Sequence, residues 1–258
     1  MKSSTKIFSI PVLVAALGYF VDIYDLVLFS VVRKPSLTAI GILPDDLEKS
    51  GLFLLNIQMI GMLVGGLMWG IIGDKKGRLS VLFGSIVLYS IANILNAYVV
   101  NITQYGFLRF MAGVGLAGEL GAGITLVSEI LHKDKRGWGT TIVATVGVSG
   151  AMLAGLLAVM HVPWTTCYII GGILGLLLLL MRVSMFESGM YHTTKKTGKQ
   201  LGSLSLIFFN KTRLFTYLKC ILIGLPIWYV IGILITLSPE LGKELGIKGE
   251  IMPAKSIM

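Results

Sequence analysis

Two carboxylates stand three residues apart in a stretch otherwise suited to lipid. The run GYFVDIYDLVLF, residues 18–29, holds Asp22 and Asp25. That spacing puts both on one side of a helix. An ionised side chain at mid-bilayer costs about 2.5–3.5 kcal/mol even on a lenient insertion scale. The acidic face must therefore meet an aqueous cavity or a cation. Arg109 and Glu119 also lie deep in apolar sequence. Arg109 reads as the only deep cation of the first six apolar segments, which makes it the natural partner of the two acids.

This set supports two kinds of chemistry. One is a static ion pair that fixes helix order. The other is proton uptake and release by a carboxylate whose pairing with Arg109 changes. Burial disfavours a charged carboxylate and a nearby guanidinium favours it, so a group under both pulls changes protonation when the pair opens. We expect the second, because ionisable residues inside membranes mark ion and proton pathways. Glu119 stays open among substrate binding, proton relay and a bond to neighbouring backbone. Tyr19, Tyr24 and Gln58 are polar-tipped side chains that would reach a substrate cavity.

The elements that hold these residues are read from composition. The chain has 258 residues, 55% hydrophobic and 14% charged, against about 25% charged in an average soluble domain. With a mean hydropathy of +0.84, the partner to expect is the lipid bilayer. The net charge of +9 does not form one patch, so nucleic acid is not an expected partner. At roughly 20 apolar residues per span, seven spans are predicted, near 9–32, 52–73, 79–100, 104–130, 139–161, 164–182 and 214–237. Small residues recur at helix spacing, as in Gly61, Gly65, Gly66 and Gly70, which lets spans approach closely.

Lys and Arg set the orientation. Fourteen fall at the N-terminus, in the 75–78 and 133–136 loops and in the 182–213 linker. Only Arg33, Lys34, Lys49, Lys243, Lys248 and Lys255 fall on the other side. The excess marks the cytoplasmic face, so the N-terminus is expected inside. Cys167 and Cys220 read as small packing residues, and His132, His161 and His192 as interfacial polar ones. No nucleophile–base pair, metal cluster or phosphate-cradling loop is visible, so neither an enzyme nor a cofactor is expected.

The loop after the second span reads Gly70-Ile-Ile-Gly-Asp-Lys-Lys-Gly-Arg78. Gly77 supplies the flexible residue of a tight turn. Asp74 and Arg78 are near enough to bond each other or adjacent helix ends. The spacing resembles the G-x-L-A-D-R-x-G-R-[RK] signature of the major facilitator superfamily. Gly70, Asp74, Gly77 and Arg78 match, Lys75 replaces an Arg, and Leu79 departs. In RFMAGVGLAGELGAGITLVSEILHKDKRG, Arg109, Gly113 and Gly115 resemble R-x-x-x-G-x-G, with Ala112 where many members have Gln. Glu129 and Arg136 match E-x6-R-G, seen in sugar porters and metabolite:proton symporters. Ala117-Gly118-Glu119 is similar to the Gly-Gly-Glu of the second group, and Asp22-Ile-Tyr-Asp25 to its E-W-[FY]-D. Phe186-Glu-Ser-Gly-Met-Tyr191 resembles P-E-S-P-R-[YF] without its prolines and Arg.

The resemblance covers about residues 10–191. It implies a twelve-span fold in two halves, of which this sequence carries one half and the first helix of the other. The expected fold is all-α and integral to the membrane. It comprises a six-helix bundle over 1–182, a cytoplasmic linker over 183–213, and a seventh helix with an external tail over 214–258, read as an incomplete chain. The resemblance implies proton-coupled symport of a small polar metabolite, a sugar or an organic acid for instance, by alternating access. Asp25 would carry the proton, with Arg109 as its partner and Asp22 beside them. Glu119, Tyr24 and Gln58 would line the cavity. Gly70, Asp74, Gly77, Arg78, Glu129 and Arg136 would form a cytoplasmic gate. Glu129 sits unfavourably at the C-terminal end of its helix, so Arg78 or Arg136 would offset it. The plasma membrane, as a bacterial inner membrane, is the expected location. The alternative is a non-transporting fragment, or a half that needs another chain.

Overall fold

A bilayer core offers no water to backbone polar groups, so an apolar run inside it folds as a helix that satisfies them internally. The computed structural model describes residues 9–182, 202 and 208–246. Among these, six helices are long and apolar enough to cross a membrane. They are α1 (Ile10–Ala39), α2 (Leu47–Lys76), α3 (Arg78–Asn96), α4 (Ile102–Ile130), α5 (Lys133–Val159) and α6 (Trp164–Arg182).

Local chemistry sets their ends. Pro11 occupies the first turn of α1, where a missing N–H leaves no bond unmade. Asn101 caps α4 by accepting from the Gln104 N–H at 2.8 Å, and the Gln104 side chain accepts from the Val100 N–H at 3.2 Å. Gly77, at φ +97°, ends α2 and opens α3, a left-handed conformation that glycine adopts without strain.

In the packing, α4 lies between α2 and α3, α1 runs along α5 and touches α4 and α6, and α6 closes against α3. The α2–α4 seam depends on missing side chains. A Cβ on Gly61 would run into the Phe110 carbonyl, and one on Gly113 into the Gln58 carbonyl. Three buried apolar clusters result, the smallest joining Val12, Ala15 and Ala16 of α1 to Val127 and Val143. Leu28, Phe29, Leu37, Leu54, Tyr105 and Tyr168 belong to another. Val14, Val81, Leu82, Leu116, Leu126 and Leu178 belong to the third. The residues that could do chemistry are buried on α1, α4 and α6.

Three expectations need correction. The first span does not stop near Val32 but continues through Arg33, Lys34 and Pro35 to Ala39, so Arg33 is a buried helical residue and not a loop cation. The segment read as one span over 214–237 is α7 (Lys211–Tyr229) passing into a π turn (Val230–Ile235), and a short α8 (Ser238–Glu244) follows it. Lys211, Arg213 and Lys219 dilute the apolarity of α7, and it is not among the six membrane-length helices. Of the two cysteines, Cys167 is buried but Cys220 is exposed on α7. The Phe186–Tyr191 motif, most of the 183–213 linker, the residues after 246, His192, and Lys2 and Lys6 lie outside the described residues.

Candidate functional site

The inward face of α1 carries both acids into the bundle, Asp22 at 1% exposure and Asp25 at 0%. They meet two different groups. Beside Asp25, Arg109 of α4 places Nη1 3.8 Å from Oδ2, a Coulombic contact longer than a hydrogen bond. Arg109 Nη2 donates to Gln58 Oε1 of α2. Its Cζ lies 4.3 Å over the Phe29 ring and 5.9 Å from the Tyr168 ring, and a desolvated cation–ring contact contributes about 2 kcal/mol. The rings are fixed in turn. The Tyr105 and Tyr168 hydroxyls are 2.6 Å apart, and Ser36 Oγ is 3.0 Å from the Tyr105 hydroxyl. The guanidinium is therefore held by an amide, an acid and aromatic faces from three other helices, α1, α2 and α6.

The second group surrounds Glu119. Arg182, at the end of α6, grips both of its oxygens: Nη1 donates to Oε2 at 2.7 Å and Nη2 to Oε1. Arg182 Nη1 also donates to the Leu82 carbonyl at 2.8 Å, and Ser85 Oγ lies 3.5 Å from Glu119 Oε2. The bridge thus ties α4 and α6 to α3. Asp22 feels the charges of both Glu119 and Arg182. One turn earlier on the same face, Gly18 leaves room for the bridge, since a Cβ there would sit 2.8 Å from Arg182 Nη2.

The expectation that Arg109 is the only deep cation is overturned. Arg182, read as the first residue of a linker, is 1% exposed. It closes an apolar run, where an arginine ordinarily turns its head to water. The signal that could have found it was Glu119, a deep acid with no cation at helical spacing. Arg33 was missed for the same reason. It is fully buried, and its Nη2 lies 2.5 Å from Glu240 Oε1 of α8, with Lys34 Nζ 3.5 Å from the same oxygen.

The remaining residues singled out in the sequence are placed as follows. The Tyr24 hydroxyl donates to the Cys167 carbonyl at 2.8 Å, pinning α1 to α6. Gln58 is buried against Arg109, and the Tyr19 ring lies against Gly147 of α5. At the Gly77 end, Arg78 Nη1 is 3.0 Å from Asp74 and its Nε 3.5 Å from Glu129. Arg78 therefore offsets the acid at the end of α4. Arg136 Nε donates instead to the Leu131 carbonyl at 3.1 Å, satisfying backbone just past that helix. Gly70 faces open space on α2.

Six membrane-length helices with ion pairs shut inside them define a polytopic membrane protein. Residues 8–257 match the family model described as the Major Facilitator Superfamily, and the chain belongs to that family. It is 27% identical over 183 residues to the putative niacin/nicotinamide transporter NiaP of Bacillus subtilis (strain 168), covering 70% of this chain and 45% of that protein. It is 33% identical over 194 residues to the benzoate transport protein of Acinetobacter baylyi (strain ATCC 33305 / BD413 / ADP1), covering 72% and 41%. The crystal structure of a D-xylose-proton symporter superposes with a TM-score of 0.71 at 19% identity, over 95% of this chain and 64% of that one. That last likeness carries the fold alone. The chain spans about half the length of the curated relatives it matches.

Proposed function

We propose that this chain serves proton-coupled symport of a small organic acid by alternating access. The observation that carries the reading is the Asp25–Arg109 contact at 3.8 Å, with both side chains fully buried. A carboxylate so close to a guanidinium, yet not hydrogen-bonded to it, can lose or gain that neighbour with a small movement. Losing it favours proton uptake and regaining it favours release. Asp25 would carry the proton in this cycle, with Asp22 on the same helix face. The relatives named for niacin and for benzoate support a flat ring acid as the solute. A guanidinium already stacked on Phe29 and Tyr168 suits such a solute, because Arg pairs with carboxylates bidentately and stacks on rings. Glu119, Tyr24 and Gln58 would border the path. Asp74, Arg78, Glu129 and Arg136, with Gly70 and Gly77, would form the gate at the far end. The basic loops support a plasma-membrane location with the N-terminus in the cytoplasm.

The test is uptake of labelled nicotinate by proteoliposomes holding the chain. An inwardly directed proton gradient should drive accumulation, and Asp25→Asn should abolish accumulation while sparing downhill exchange. Unchanged accumulation in that variant would refute the assignment of the proton to Asp25. A half-transporter that needs a second set of helices is a second reading. It is favoured by Gly66 and Gly70, small residues with open space before them on α2. Uptake only on co-reconstitution with a separate six-helix partner would select it.

A further inference from the structure

Three carboxylic side chains and two arginines are buried on α1, α4 and α6: Asp22, Asp25, Glu119, Arg109 and Arg182. Three acids thus face two guanidiniums. Arg109 answers Asp25, and Arg182 answers Glu119 with both arms. The remaining buried cation, Arg33, is committed to Glu240. Asp22 has no cation of its own among the described residues, which sets it apart from Asp25, since its Oδ2 and both oxygens of Asp25 alike have no hydrogen-bond partner there. A lone carboxylate shut away from water is neutralised rather than left charged.

We propose that the buried core holds one proton, that Asp22 bears it, and that Arg182 is the positioning residue that makes Asp22 the acid left over by neutralising Glu119. This rests on reading the acids of α1 as a proton-handling face, and it adds a resident proton on Asp22 to the exchangeable one assigned to Asp25. The surroundings of Asp22 bear it out from each side. Tyr19 and Asp25 stand on α1 itself. Tyr89 faces it from α3, Glu119 from α4 and Arg182 from α6. Between Gly139 and Val159, α5 offers no titratable residue. The single guanidinium on that side is already taken by a second carboxylate. Any movement of Arg182 from Glu119 toward Asp22 exchanges which of the two acids keeps the proton, so the bridge sets the order of release.

The experiment is infrared difference spectroscopy on the chain in lipid nanodiscs at neutral pH, reading the C=O stretch of protonated carboxyl groups. The wild-type chain should show one such band that survives Asp25→Asn and is lost in Asp22→Asn. Arg182→Gln should add a second, from Glu119, and Arg182→Lys should not. Thermal unfolding supplies an independent reading, since Asp22→Asn replaces a neutral acid with a neutral amide and should leave the midpoint near wild type. A band lost in Asp25→Asn instead, no band in the wild-type chain, or a large fall in the Asp22→Asn midpoint would overturn the proposal. None of these readouts needs transport. Failure of gradient-driven uptake would count against the symport reading and leave this one standing.

Discussion

Arg109 is fixed by geometry as much as by charge. Gln58 takes one of its N–H groups and Phe29 lies under its plane, and an ammonium, a compact point charge, lacks the planar fork that makes both contacts together. Arg109→Lys should therefore lower thermal stability in detergent and end uptake although the charge is kept. Gln58→Leu leaves a charged donor buried without its acceptor, at a cost of about 1–3 kcal/mol. The same melting experiment checks it, and an unchanged midpoint would show that the amide is dispensable. At this scale the sequence was most legible where a charge interrupts apolar residues, as with Asp22, Asp25, Arg109 and Glu119. It was least legible at the ends of apolar runs. Arg33 and Arg182 look like interfacial cations in sequence, and only the packing of α8 and α4 against them shows that they are buried.

Among elements, the α2–α4 seam and the turn at Gly77 make opposite demands on glycine. At Gly61 and Gly113 a side chain would strike a facing carbonyl, so Gly113→Val should prevent the two helices from docking and leave the chain open to protease. Gly70→Leu, at a position with open space, should leave the bundle resistant to the same digestion. Gly77→Ala forces a Cβ into a left-handed turn at φ +97° and should cost about 1 kcal/mol, read from the melting midpoint. The tie between α1 and α8 rests on Glu240. Glu240→Gln leaves Arg33 buried without a counter-charge, and α8 should become more open to limited proteolysis, with little effect on the six-helix bundle. The six long spans were legible because hydropathy and length agree over each of them. The seventh was not, because a run of apolar letters does not reveal a switch to π geometry at Val230.

For the molecule as a whole, the buried charged side chains among the described residues are Asp22, Asp25, Arg109, Glu119 and Arg182 in the bundle and Arg33 toward the end of α1. That arrangement makes sense if the middle of the bundle is reached by solute and protons from the two ends in turn. Expected orientation follows from the basic loops, and a reporter fused to the N-terminus should be active only in the cytoplasm. The motifs made the family visible in sequence, but the partition of the core into an Asp25–Arg109 group and a Glu119–Arg182 group was not, since it depends on which face α6 turns to α4. The central claim is that solute and proton cross together. The most direct measurement is the external pH of lightly buffered proteoliposomes as labelled nicotinate enters. The account predicts alkalinisation that rises with uptake and disappears in Asp25→Asn. Nicotinate entry with no change in pH would contradict it.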